Sequence, residues 1–247
     1  MLISIDFHCH SSYSDGIPSP REIAEKCTKD NIIAVITDHN EIRGSINLFE
    51  KYNVATIPGI EVGSSEGLEL LVYFKNFFDL EDFYVSCIEP VRNERRMVVL
   101  KISLKDILEK LQNYNAFTSL AHPFALKKKS IEKHDSTYIR DILSKTDAIE
   151  IFNGELTRKM NNKASELNKI IKKKITLGSD SHTISSIGTV YAILDVENVT
   201  NNNLYEGLVV NSFNELFFSK TNNIGHLKTL FTIGLKHTKY YLKKGAI

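Results

Sequence analysis

The chain has 247 residues, of which 42% are hydrophobic, and its 31 Lys and Arg against 30 Asp and Glu leave a formal charge of +1. That balance excludes a global field recruiting nucleic acid or an anionic membrane, and no apolar run approaches the roughly eighteen residues of a membrane span. Three cysteines (Cys9, Cys27 and Cys87) are too few and scattered for a disulfide framework or a thiolate zinc knuckle, and Met1 to Asp6 hold no cleavable signal pattern, so a cytoplasmic chain with one domain over 1–247 is expected.

In chain order, apolar runs rich in Ile, Val and Phe alternate with helical patterns, the signature of an α/β fold around a mainly parallel sheet. Strands are expected at residues 2–7, 32–37, 54–62, 68–74, 116–121, 148–152 and 175–178, with a weaker one at 192–196. A first helix over 20–29 has a strong start signal: Ser19 as N-cap, Pro20 at the first helical position, and Glu22 closing a capping box. Further helices are expected at 43–51, at 104–114 behind the cap Ser103, and at 159–173. Residues 79–102 read as an elaborated loop or small helical insertion, and 227–244 as a basic amphipathic helix packed on the body of the domain.

The histidines fall mostly at strand ends. The first strand closes in Asp6-Phe7-His8-Cys9-His10, and side-chain alternation points His8 and His10 the same way, with Cys9 opposite. Asp15 follows in a turn; the second strand ends in Thr37-Asp38-His39-Asn40, the third in Gly59-Ile60-Glu61, the fifth in Ala121-His122-Pro123 and the seventh in Gly178-Ser179-Asp180-Ser181-His182. In parallel α/β folds the carboxyl ends of the strands open onto one face, so residues remote in sequence meet there. Imidazoles and carboxylates without thiolates suit Mn, Zn or Fe rather than Ca or Mg, and more than six such donors exceed one tetrahedral ion, implying two or three. Taken singly, each His or Asp would more often be a core, surface or capping residue. Their joint recurrence at successive strand ends argues for a metal centre, and His134, His226 and His237 lie outside the pattern.

This order of segments resembles the PHP family, named for polymerase and histidinol phosphatase, over residues 3 to about 190. The resemblance implies a distorted seven-stranded (β/α)7 barrel, a di- or trinuclear metal site and phosphoesterase chemistry. The implied ligands are His8, His10, Asp15, His39, Glu61, His122, Asp180 and His182. One departure stands out: family members carry a further ligand His at the start of the strand after Gly-x-Glu, where this chain has Glu69. Glu69 either binds metal as a carboxylate or faces solvent.

The segment from Arg92 to Met97 resembles an Arg-rich helix start in small members of the family, so Arg92 and Arg95 are candidate phosphate-binding residues, with a solvated helix face as the alternative. Arg96 reads as surface. Asn153, ending the sixth strand, is a candidate substrate contact, whereas Glu150 is misplaced by strand counting for that role. Lys127, Lys128 and Lys129 form either a phosphate track or an ordinary solvated cluster. The expected chemistry is in-line attack on phosphorus by a hydroxide generated on the ions, with Asp180 binding metal and taking the proton while Asp6 orients a ligand histidine. The leading expectation is therefore a hydrolase of a small phosphorylated substrate such as a nucleotide or sugar phosphate, needing no obligate protein partner and no membrane. A nuclease for short oligonucleotides and a metal-binding module without turnover are the alternatives.

Overall fold

A computed structural model describes residues 1–93, 96–211 and 213–218. Arg95 and the helix expected over 227–244 lie outside the described residues. Two sheets form. The first has the order β2-β1-β8-β9, from β1 (Leu2–Cys9), β2 (Ile32–Ile36), β8 (Val190–Asp195) and β9 (Phe213–Phe218). The second has the order β3-β4-β5-β6-β7, from β3 (Gly59–Gly63), β4 (Glu69–Phe74), β5 (Ala116–Leu120), β6 (Ala148–Asn153) and β7 (Lys174–Gly178).

The sheets are mixed rather than mainly parallel. β1 and β2 are parallel, as are β5, β6 and β7, whereas β4 runs antiparallel to both its neighbours. The connection from Gly63 to Glu69 is far shorter than the dozen or more residues of a parallel crossover, so β4 must turn straight back. Reversal places the amino end of β4, with Glu69, beside the carboxyl end of β3, with Glu61.

Among the described residues the expected (β/α)7 barrel does not close. β8 pairs with residues Leu2 to Ile5 of β1 and so takes the edge that a barrel would give to β7. The isolated bridge Cys9–Ser181 joins the segment after β7 to the end of β1, and the bridge His39–Glu61 joins the segment after β2 to β3. Both junctions lie at the end where the histidines gather.

Packing follows the alternation of each strand. In β4, Leu70, Val72 and Phe74 face helices α3 (Phe77–Phe83), α4 (Leu104–Leu111) and α5 (Ser136–Lys145), while Leu71 and Tyr73 join Ile5, Phe7, Val35, Phe117 and Leu177 between the two sheets. Burying each such side chain contributes about 1.5–3 kcal/mol, and the Tyr73 hydroxyl donates to the Phe7 carbonyl across this layer at 2.9 Å. Helix α1 (Pro20–Asp30) has the expected capping box and lays Ile23, Ala24 and Cys27 against Cys9, Ala34 and Ile36. Cys9 therefore points away from the histidines, as alternation requires. Helices α2 (Arg43–Glu50), α4 and α6 (Arg158–Ile171) stand where the sequence places them; α5, α7 (Asn201–Val210) and β9 were not anticipated. Over residues 77–91 α3 runs into a π-turn (Tyr84–Ile88) and a 3-10 turn (Glu89–Val91).

Gly178 lets β7 and β1 touch at the junction, because a Cβ there would lie 2.3 Å from His8 Cβ and 2.6 Å from His8 N. Gly178→Ala is expected to cost about 1–3 kcal/mol through overpacking, a fall of several degrees in Tm that a thermal melt would register. An unchanged Tm would show that the junction has slack.

Candidate metal centre

The strand ends bring nine donors together. His8 Nε2 and His10 Nε2 lie 3.1 Å apart, and Asp180 Oδ1 is 3.1 Å from His10 Nε2 and 3.4 Å from His8 Nε2. Glu61 Oε2 is 2.9 Å from His39 Nδ1, 3.4 Å from His10 Nε2 and 3.5 Å from His8 Nε2. Asp15 Oδ1 is 3.3 Å from His182 Nε2, and Asp15 Oδ2 is 3.6 Å from His39 Nε2. His122 Nε2 lies 2.9 Å from Glu61 Oε1 and 3.1 Å from Glu69 Oε2. Glu69 is 2% exposed and faces these donors rather than solvent. His122 (φ 25°) and Asp180 (φ 51°) adopt left-handed backbone just past their strands, which costs about 1–3 kcal/mol each and turns both side chains back over the sheet ends.

Electrostatically the cluster is short of positive charge. Burial alone would lower the pKa of His8, yet the charges of Asp180, Glu150 and Glu61 hold it well above its ordinary value. Against the same burial, hydrogen bonds to Glu61 and Glu69 raise His122 to about 10, and Asp15 raises His182 to about 9. His10 is the exception, lowered by burial and by the neighbouring His182. A field that holds protons on imidazoles also holds a divalent cation, which displaces them. The donor atoms fit such an ion: His10 Nδ1, His39 Nδ1, His122 Nδ1 and Glu61 Oε2 are buried without a hydrogen-bond partner. Left so, each would cost about 1–3 kcal/mol. His39 Nδ1 and Glu61 Oε2 approach closely yet are not aligned as donor and acceptor, as two lone pairs aimed at a common cation would be.

Six of the donors, Asp15, His39, Glu69, His122, Asp180 and His182, form the floor of a cleft of about 800 Å³. Arg96, Lys127, Lys128 and Lys129 line it on the basic side, and Val98, Val99, Leu126, Leu156 and Met160 supply apolar wall. Two expected substrate contacts are corrected. Arg92 is not among the lining residues: its Nη1 donates to the Tyr84 hydroxyl at 2.5 Å and lies 3.8 Å from Glu41 Oε2. Arg96, read from sequence as surface, lines the cleft instead. Asn153 is 1% exposed and turned inward, where its amide donates to Asp180 Oδ2 at 3.0 Å and Glu150 Oε2 at 3.1 Å.

A model of the PHP domain matches residues 6–176 of the chain. The chain belongs to the PHP domain family. No curated protein matches it in sequence. Among solved structures, this PHP domain is similar to PsfC from Pseudomonas syringae at TM-score 0.64 and 14% identity, covering 96% of this chain and 98% of that one. It is similar, at TM-score 0.60 and 17% identity, to a two-domain protein from Bacteroides vulgatus containing a predicted PHP-like metal-dependent phosphoesterase, covering 94% of this chain and 69% of the other. A third similar structure is the lesion-specific endonuclease Q from Pyrococcus furiosus, at TM-score 0.69 and 18% identity, with 85% of this chain and 56% of that one covered. The PHP domain thus spans little more than half of that endonuclease, and at these identities the likeness shows a shared fold.

Several residues that support the centre of this PHP domain escaped the sequence reading. Glu150 Oε1 lies 2.9 Å from His8 Nδ1, and Glu150 Oε2 accepts from the His122 backbone at 2.7 Å, so one buried carboxylate orients two of the donors. Asp6, expected to orient a ligand histidine, contacts no imidazole. It accepts from Ser179 N, Ser179 Oγ, Gly188 N and His8 N and so ties β1 to the segment after β7, while burial pushes its carboxyl up to about 6. Asp38 accepts from Ser11 N at 2.7 Å, from Ser11 Oγ and Ser14 Oγ at 2.5 Å each, and thereby anchors the loop carrying Asp15. Glu150→Gln is expected to leave the fold intact and weaken metal affinity about 10- to 100-fold. Metal titration of the folded variant checks this, and unchanged affinity would remove Glu150 from its orienting role.

Proposed function

We propose that the chain is a metal-dependent phosphoesterase acting on a small phosphorylated substrate such as a nucleotide or sugar phosphate. The observation that carries this reading is the convergence of buried imidazoles and carboxylates, several with orphaned donor atoms, on the floor of a cleft with a basic side. His8, His10, Asp15, His39, Glu61, His122, Asp180 and His182 would hold two or three divalent ions, with Glu69 at their edge. This mixed set suits Mn, Zn or Fe. When bound, such ions supply a water of lowered pKa and positive charge for the phosphoryl oxygens.

The chain's own groups do the rest. Asp180 is the cluster carboxylate most open to the cleft, 13% exposed, and Asn153 holds its Oδ2. From there Asp180 takes the proton of the attacking water, with no serine or cysteine nucleophile required. Arg96, Lys127 and Lys128 bind and orient phosphate oxygens, the guanidinium in bidentate fashion. Val98, Val99, Leu126 and Met160 hold the body of the leaving group and keep water from it.

A second reading, a nuclease for short oligonucleotides, is favoured by one observation: Arg96 and Lys127 to Lys129 line a single cleft larger than a phosphate needs. The test pairs elemental analysis of the purified chain with hydrolysis of chromogenic phosphomonoesters and phosphodiesters under added Mn or Zn. Turnover with bound ions supports the proposal. No ion and no turnover after reconstitution overturns it in favour of a binding module, and cleavage of short oligonucleotides in preference to mononucleotides favours the second reading.

A further inference from the structure

Among the described residues, three groups of side chains converge closely enough to hold an ion, and they share members: His10, Asp15, His39 and His182; His8, His10 and Glu61; and His39, Glu61 and Glu69. The third group already carries a cation. Lys129 Nζ lies 2.6 Å from Glu69 Oε2, the distance of a direct ammonium–carboxylate contact. His39 Nδ1 lies 3.8 Å from the other oxygen, Glu69 Oε1, so an ion in the third group and the ammonium would share one carboxylate and repel each other across it.

Lys129 is not a freely rotating surface lysine. It ends a 3-10 turn (Lys127–Lys129) that is pinned by Ile131 N donating to the Pro123 carbonyl at 2.9 Å and by His134 Nε2 at 2.7 Å from the Lys128 carbonyl. The same turn packs on the β3–β4 connection, where a Cβ on Gly67 would meet Lys128 Cβ at 2.8 Å. The Lys129 side chain is 39% exposed and lines the cleft beside His122 and Asp180.

We infer that Lys129 supplies the third cation of the centre in place of an ion, so that the chain binds two divalent ions and the Lys129 ammonium faces the phosphate on the Glu69 side of the cleft. The two-ion assignment stands on the geometry alone, and the phosphate contact rests on the phosphoesterase reading.

The experiment strips the full chain of metal, reloads it with Mn, and measures ions per chain by elemental analysis in wild type and in Glu69→Gln, with circular dichroism to show folding. Two ions in both are expected. Three ions in the wild type, or an ion lost in folded Glu69→Gln, would overturn the two-ion assignment. In parallel, Lys129→Met is expected to raise KM for a phosphomonoester about tenfold or more, with Lys129→Arg recovering most of the loss. An unchanged KM in Lys129→Met would overturn the phosphate contact. Two ions without turnover in any variant would fail the phosphoesterase reading and leave the two-ion assignment standing, whereas turnover with three ions would do the reverse.

Discussion

Replacing Asp180 by Asn is expected to lower kcat by about a thousandfold, some 4 kcal/mol of transition-state stabilisation, while the chain stays folded. Asn is chosen because it tolerates the left-handed backbone at this position, φ 51°, where Ala would add strain. The substitution removes a charge that stands 3.1 Å from His10 Nε2 and 3.4 Å from His8 Nε2 while also bordering the cleft. Under the proposed function, one change would delete both an ion-holding oxygen and the acceptor for the proton of the attacking water. His8 and His10 hold the Asp180 carboxyl well below the usual carboxylate range, against the burial that would raise it. It therefore stays ionised at neutral pH. The measurement is steady-state hydrolysis of a chromogenic phosphomonoester, with metal content determined on the same sample. Full activity in folded Asp180→Asn would remove Asp180 from the chemistry.

Removing metal is expected to lower Tm by about 5–10 °C, an effect on the whole molecule rather than on one loop. Away from their shared hydrophobic layer, the two sheets meet at the bridges Cys9–Ser181 and His39–Glu61 and where Asp6 accepts from Ser179. The donors come from both sides of that seam: His8, His10 and His39 from the first sheet and its loops, Glu61, His122, Asp180 and His182 from the second. Ions held there would tie the sheets together and neutralise carboxylates that otherwise face one another. An ion present at about a hundred times its Kd stabilises the folded state by about 2.7 kcal/mol, and a chain of this size shifts by about 2–4 °C per kcal/mol. Calorimetry before and after chelation, and again after Mn is restored, checks this. An unmoved Tm in a sample shown to have lost its metal would mean that the seam is held by packing alone.

Basic charge in the cleft bears on how substrates arrive. A chain of net charge +1 has no long-range pull on phosphates, so recruitment falls to the local patch formed by Arg96, Lys127 and Lys128 above the ion-holding floor. Such a patch acts within a Debye length of about 8 Å at physiological salt. Under the proposed function it would orient an arriving phosphate more than attract one from a distance.

What the sequence determined by itself follows from local periodicity and side-chain chemistry. Strand alternation puts His8 and His10 on one face and Cys9 on the other, and strand ends of an α/β chain gather His39, Glu61, His122, Asp180 and His182 at one end of the molecule. Ser19, Pro20 and Glu22 start the first helix because each satisfies or avoids an unpaired backbone amide next to it in the chain. Tertiary structure alone decided the rest, because it depends on partners distant in sequence. Glu69 enters the centre because β4 turns back against β3. Glu150 reaches His8 although strand counting misplaces it, since the register of β6 on β7 slips between Glu150 and Phe152 and rephases the alternation. The barrel stays open because β8 occupies the edge of β1 that β7 would need. Arg96 rather than Arg92 lines the cleft because Tyr84 and the buried Glu41 claim the Arg92 guanidinium, contacts that no spacing along the chain could reveal.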